Sequence, residues 1–142
     1  MPPPSLPHPL PVTGATVLEM YGHLFAPWVK ELGLRDFEVG PGRACALLPQ
    51  GEALKFYAGA VCGQAIMAAI DTVVSLAMFT TDRIPKGTVY QHTHFLRPAV
   101  NGDFRIEAKV LRFGKASAFA EARLTLAAGG DLVAHASSEF AF

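Results

Sequence analysis

Hydrophobic positions follow two different periods along this chain. From Thr16 to Leu32 the apolar residues Val17, Met20, Tyr21, Leu24, Trp28, Val29 and Leu32 recur at helical spacing. That spacing predicts an amphipathic helix, interrupted at Pro27 and stopped at Gly33. Two short strands follow, Asp36–Val39 and Arg43–Leu48, around the turn Gly40-Pro41-Gly42. Pro49-Gln50-Gly51-Glu52 is a loop. From Ala60 to Phe79 the chain is then apolar nearly all the way round, which predicts a long central helix. Beyond it the period switches to two. Thr88–Leu96 is the first long strand, and Phe104, Ile106, Ala108 and Val110 alternate with charged residues in the second. Gly114-Lys115-Ala116-Ser117 leads to a third, with Ala118, Ala120, Ala122, Leu124 and Leu126 on one face. Gly129-Gly130-Asp131 marks a hairpin into the last strand, Leu132–Phe142.

The central helix carries a single charge, Asp71. At 100° per residue Gln64, Asp71 and Ser75 fall within about 40° of one another, with Met67, Ala68 and Met78 alongside. A rod without a polar face is either a membrane span or the buried axis of a folded domain. In both settings an ionised, unpaired carboxylate costs several kcal/mol. The aligned polar residues and the soluble character of the flanking segments favour the buried axis. The polar stripe is where chemistry is expected.

The order of elements is helix, two short strands, a long apolar helix, then four strands expected as a meander. Tight links make the last strands antiparallel. A helix apolar all round can be hidden only if a curved sheet wraps it and a second subunit covers the rest. The expected fold is therefore α+β, a hotdog: a curved antiparallel sheet of about five to six strands wrapped around one long central helix.

Composition narrows the picture. At 142 residues the chain reads as one domain, with 12 lysines and arginines against 12 acidic residues. A zero net charge gives no reason to expect nucleic acid or an anionic membrane as a partner. The high apolar share suits a chain that hides surface in an oligomer. Cys45 and Cys62 have no metal spacing and fit a reducing, cytoplasmic setting. Residues 1–12 are rich in proline and are expected as an extended or disordered arm, leaving 13–142 as a single domain. No basic segment followed by an apolar run marks a secretory signal.

Several stretches, in order, resemble the hotdog-fold acyl-CoA thioesterases of the phenylacetate-degradation (PaaI-like) type. They are Gly40-Pro41-Gly42-Arg43, Cys62-Gly63-Gln64 ahead of Asp71, Phe95-Leu96-Arg97-Pro98-Ala99 with Gly102-Asp103, Gly114-Lys115 and Leu132-Val133-Ala134. The match runs from about Leu32 to Phe142. The resemblance implies that the Gly63 N–H binds the thioester oxygen, as an orphan donor at a helix start can. It implies that Asp71 is the catalytic carboxylate, as nucleophile or as general base, and that Thr88 helps hold the attacking water. Carboxylate and oxyanion donor would come from opposite subunits, so at least a homodimer is implied, with a homotetramer as a dimer of dimers. Where the family typically carries His-Gly-Gly, this chain has Cys62-Gly63-Gln64, and Phe56 stands where a polar residue is often found.

Other candidates are weighed beside these. Gln64 points the same way as Asp71 and could orient the substrate carbonyl or bridge subunits. Ser75 could cap the carboxylate. Cys62 near a helix start is a conceivable nucleophile, though on the far side from Asp71 and without a nearby histidine. His92 and His94 share a strand face with Thr88 and Tyr90 on a strict alternation, and a role at the mouth of the substrate site is favoured over a metal, for which no third ligand suggests itself. Arg97, Gly114 and Lys115 lie at strand ends and turns where they could meet coenzyme A phosphates. Phe56, Tyr57, Met67 and Met78 are expected to shape the pocket. No cofactor is expected, coenzyme A being part of the acyl-CoA substrate. The alternatives are a non-catalytic acyl-CoA binder and a thioester dehydratase or hydratase. The latter needs a histidine ahead of the central helix, where only His23 is at hand.

Overall fold

The computed structural model describes residues 5–142. The first helical stretch divides as its proline requires: α1 spans Val17–Leu24 and α2 spans Pro27–Lys30. Between them Ala26 is extended (ψ 150°), the conformation forced on a residue before proline. The hairpin of β1 (Arg35–Gly40) and β2 (Arg43–Leu48) turns at Gly42, whose φ of 69° favours glycine. A short 3-10 turn at Glu52–Leu54 precedes the central helix α3, Gly63–Met78. Then come β3 (Gly87–Phe95), β4 (Phe104–Phe113), β5 (Ser117–Leu126) and β6 (Leu132–Ala141).

All six strands form one antiparallel sheet in the order β1-β2-β4-β5-β6-β3. This corrects the expected four-strand meander. Of the last four strands only β4, β5 and β6 are sequential neighbours; β3 lies at the far edge against β6. The connection from β3 to β4 passes the start of α3, where the Val61 N–H donates to the Ala99 carbonyl at 3.0 Å and Ala99 is buried. The helix also starts later than the apolar run. Val61 bridges to Lys55 and the Cys62 N–H donates to Leu54 O at 2.8 Å, so Gly63 is the first helical residue.

The sheet packs its inner face on α3. Ile66, Ala69, Ile70, Val73 and Ala77 are buried against inward residues such as Phe104 and Ile106 of β4 and Leu124 of β5. Alanines at 44 and 46 of β2 and at 118, 120 and 122 of β5 are all buried, and their small size lets the helix axis approach closely. The sheet leaves one stripe of α3 open: Gln64 and Met67 are exposed, and Ala68 and Asp71 are half-buried. Met78, expected on that stripe, is wholly buried within the core.

The proline-rich arm was expected over residues 1–12, of which 1–4 lie outside the described residues. From Ser5 the chain runs along the body, with Leu6 and Leu10 against the core and Val12 buried. The Val12 N–H donates to Phe79 O at 2.9 Å and so satisfies a carbonyl left free at the end of α3. Among the described residues no helix is long and apolar enough to cross a membrane.

Candidate active site

Asp71 sits midway along α3, and the Thr88 hydroxyl at the start of β3 donates to its Oδ1 at 2.8 Å. Among the described residues the carboxylate makes this one side-chain hydrogen bond and no ion pair. Burial pushes the Asp71 carboxyl above the ordinary carboxylate range, and the Thr88 bond pulls it part of the way back. Asp71 and Thr88 line an open groove of about 260 Å³ together with Met67, Ala68 and Gln91.

Gln91 carried no signal in the sequence, and a β-bulge explains why. The register of β3 against β6 shifts between Thr88 and Tyr90, so the extra residue inverts the alternation from there on. Thr88 therefore shares the inner face with Gln91, Thr93 and Phe95, and not with His92 and His94. The Gln91 amide donates to the Met67 carbonyl at 3.2 Å and to Thr93 Oγ1 at 3.0 Å, tying β3 to the turn of helix that precedes Asp71. His92 and His94 are exposed on the outer face, ring against ring at 4.9 Å. They line neither the groove at Asp71 nor the cavity at Gly63. No group of three potential ligands able to hold a metal occurs among the described residues.

Gly63 opens α3 in a second place, a cavity of about 420 Å³ lined by Phe56, Val61, Ile66, Phe95, Leu96 and Arg97 among others. The N-cap, Cys62, makes no side-chain cap bond, whereas serine, threonine or aspartate there would consume a free N–H. The first-turn donors are thus available to an incoming oxygen. A Cβ on Gly63 would lie 3.3 Å from the Phe95 ring, so the glycine also lets that ring pack on the helix start. Phe56 stands edge-on to Tyr57, which is 99% exposed. Arg97 donates to the Leu132 carbonyl at 2.7 Å.

The remaining candidates are dispersed. Gln64 and Cys62 open onto a third groove with Trp28, Leu32 and Leu54, away from both Asp71 and the Gly63 cavity. Ser75 is buried and its hydroxyl donates to the Asp71 backbone carbonyl at 2.7 Å, a bond within the helix that turns it from the carboxylate. Gly114 and Lys115 form the turn between β4 and β5. Ala141 pairs with both Ser117 and Gly87, so that turn is at the end of the sheet where β3 begins.

Asp71 and Gly63 are separated by eight residues of one helix, about 12 Å at 1.5 Å per residue. A reacting carbonyl must lie within about 3 Å of both its base-held water and its oxyanion donor. Within one chain this pair cannot share a carbonyl.

A family model described as the thioesterase superfamily matches residues 58–133, more than half of the chain. The chain belongs to the thioesterase superfamily. Its relatives agree with the placement. A protein of Saccharolobus solfataricus, named "Putative esterase", is 36% identical over 86 residues, 60% of this chain and 61% of that one. The chain thus spans about three fifths of the length of that relative. Among solved structures, zebrafish thioesterase superfamily member 2 superposes with a TM-score of 0.83 at 24% identity, over 92% of this chain and 98% of that one. A conserved protein of Pseudomonas aeruginosa gives 0.77 at 27%, over 84% and 96%. The PaaI protein of the E. coli phenylacetic acid degradation operon gives 0.79 at 17%, over 89% and 90%, a likeness of fold. The hotdog architecture expected from the sequence is the architecture of this superfamily member, and the expected enzyme class, a thioester hydrolase, is the class the family names.

Proposed function

We propose that this thioesterase superfamily member hydrolyses an acyl- or aryl-CoA thioester at a site assembled between two copies of the chain. The observation that carries the reading is Asp71: a half-buried carboxylate without an ion pair among the described residues, raised above its ordinary pKa, at the edge of an open groove. Asp71 takes a proton from water as the water attacks the thioester carbonyl. The Gly63 N–H of a second copy receives the negative oxygen. Collapse of the tetrahedral species breaks the C–S bond, and the thiolate leaves and takes up a proton, giving free acid and coenzyme A. Direct attack by Asp71, through an anhydride that water then opens, uses the same groups.

Two features support assembly from two copies. The 12 Å separation calls for an oxyanion donor from outside the chain. Strand β3 is an edge strand, and the side chains around it (Val89, Tyr90, Phe95 and Leu96) are 46–55% exposed, an apolar edge of the sort a second copy covers.

A non-catalytic acyl-CoA binder is the second reading, favoured by Phe56 and Cys62 standing where the related enzymes carry polar side chains. The dehydratase reading lacks its histidine, since His92 and His94 face away from Asp71. Thiol release from a panel of acyl-CoAs tests the proposal. Asp71→Asn is expected to lose ~10²-fold or more in turnover while retaining binding. Tight binding without turnover in the wild type would favour the binder, and equal turnover in both proteins would remove Asp71 from the mechanism.

A further inference from the structure

Helix α3 and edge strand β3 run in opposite directions and keep a fixed correspondence. Asp71 meets the Thr88 hydroxyl at 2.8 Å, and the Met67 carbonyl meets the Gln91 amide at 3.2 Å. A Cβ on Gly63 would stand 3.3 Å from the Phe95 ring. A twofold axis that sets Asp71 beside the Gly63 of a second copy passes midway between those two residues, at Met67 on the helix. On β3 the corresponding span is Thr88 to Phe95. With the residue inserted by the bulge between Thr88 and Tyr90 discounted, its midpoint is His92. The two midpoints agree, since Met67 is tied to Gln91, the neighbour of His92.

With the β3 edges joined, both helices stay on one side of a continuous sheet only if the axis is perpendicular to it. Two strands about such an axis are antiparallel, and the residue on the axis lies opposite itself. Outward side chains of one strand then stand beside outward side chains of the other. His92 points outward, so it meets the His92 of the second copy, with Cβ atoms about 5 Å apart. His94 is exposed on the same face, its ring 4.9 Å from that of His92. It lies diagonal to the second copy's His92, about 7–8 Å away and within reach of an aromatic side chain. A third imidazole of the same chain does not serve. His135 is directly opposite His94 on β6, but its Nε2 is 3.7 Å from Glu121 Oε2, and no group of three ligands able to hold a metal occurs among the described residues.

We propose that two copies of the chain hold one divalent first-row transition ion at their twofold axis, ligated by His92 of both copies and His94 of one. This rests on the shared site proposed above, which sets the axis. Histidines at i and i+2 of a strand present two nitrogens to one ion, and imidazole suits zinc, nickel and copper. The second copy's His92 supplies the third ligand that a single chain lacks. The His94 residues of the two copies lie two positions to either side of the axis, about 13 Å apart at 3.3 Å per residue, so one ion takes only one of them. Both His92 rings are then used, and the pair of chains binds one ion and not two. The ion favours the assembled pair, since one chain alone offers two ligands of the three. It lies on the outer face of the sheet and leaves the chemistry at Asp71 untouched.

The test is calorimetric titration of Zn²⁺ into chelator-treated wild type, His92→Ala and His94→Ala at neutral pH. Sedimentation, thermal melts with and without Zn²⁺, and acyl-CoA hydrolysis accompany it. Both side chains are exposed, so the variants are expected to fold and, without zinc, to turn over acyl-CoA as wild type does. Wild type should take up one Zn²⁺ per two chains and His92→Ala none. His94→Ala should bind more weakly by at least the ~10-fold that losing even a hydrogen-bond partner of a ligand costs. Saturating Zn²⁺ should raise the wild-type melting temperature by several degrees and leave that of His92→Ala where it was. Uptake of one Zn²⁺ per chain would assign the ion to a single copy and overturn the proposal, as would uptake that survives His92→Ala. A dimer that hydrolyses acyl-CoA and takes up no Zn²⁺ ends this proposal and leaves the shared active site standing. A chain that stays monomeric with and without Zn²⁺ ends both.

Discussion

Replacing Thr88 by alanine removes the side-chain hydrogen bond that works against burial at Asp71. The bond is 2.8 Å long and runs from a hydroxyl to a carboxylate oxygen. Hydrogen bonds to charged groups contribute about 1.5–3 kcal/mol. Thr88 is exposed, so water can replace part of the bond, and the lower end of that range applies. About 1.4 kcal/mol is a factor of ten in whatever depends on the carboxylate being ionised. Because the bond favours the charged form, losing it raises the Asp71 pKa beyond the value burial already gives it. The acidic limb of the pH–rate profile for acyl-CoA hydrolysis should therefore move to higher pH in Thr88→Ala, and on that limb kcat/KM should fall roughly tenfold. Thr88→Ser keeps the hydroxyl and should return both to near wild type. Continuous thiol detection across the acidic to neutral range reads both quantities in one series. An unmoved limb with unchanged kcat/KM in Thr88→Ala would refute the coupling.

Three further outcomes follow from the same geometry. Between the ordinary carboxylate pKa and the raised one, folded Asp71 holds its proton more tightly than the unfolded chain does, so stability falls as pH rises through that window. Asp71→Asn should accordingly be at least as stable as wild type at neutral pH, with the advantage fading as pH falls through that window and gone below the ordinary carboxylate value; thermal melts over pH check the sign. Gln91→Ala, which unties β3 from the Met67 carbonyl, should lower kcat severalfold with little change in KM, measured by steady-state kinetics at saturating substrate. Phe104, wholly buried between sheet and helix, should cost about 3–5 kcal/mol on replacement by alanine, read from urea unfolding of the variant.

The sequence carried the elements well and their neighbours less well. The apolar run before Phe79 and the alternation from Phe104 onward are local patterns, so the central helix and β4, β5 and β6 could be read directly. Asp71 was visible because one charge in an apolar helix needs an account. The placement of β3 against β6 was not visible, because that pairing is made by backbone groups far apart in the chain and leaves no trace in the local period. The bulge after Thr88 had a larger effect on the site. One extra residue moved Gln91 onto the inner face and His92 and His94 off it, and nothing in the residue types around it signals the insertion. Ser75 was misread for a simpler reason: its angle on the helix was right, but a serine inside a helix readily bonds the carbonyl one turn back.

The central claim is that Asp71 of one copy works with the Gly63 N–H of another. Gly63 is the first residue of α3, and the residue before it, Cys62, is extended (ψ 151°). Proline is favoured at that position and removes only the N–H, so Gly63→Pro deletes the donor with the helix kept, the half-exposed Phe95 ring shifting to admit it. Each single variant should be inactive as a homodimer. Asp71→Asn and Gly63→Pro chains unfolded together and refolded as a mixture should recover about a quarter of wild-type activity, since half the dimers are mixed and each holds one intact site. A mixture as inactive as its two parents would contradict the shared site.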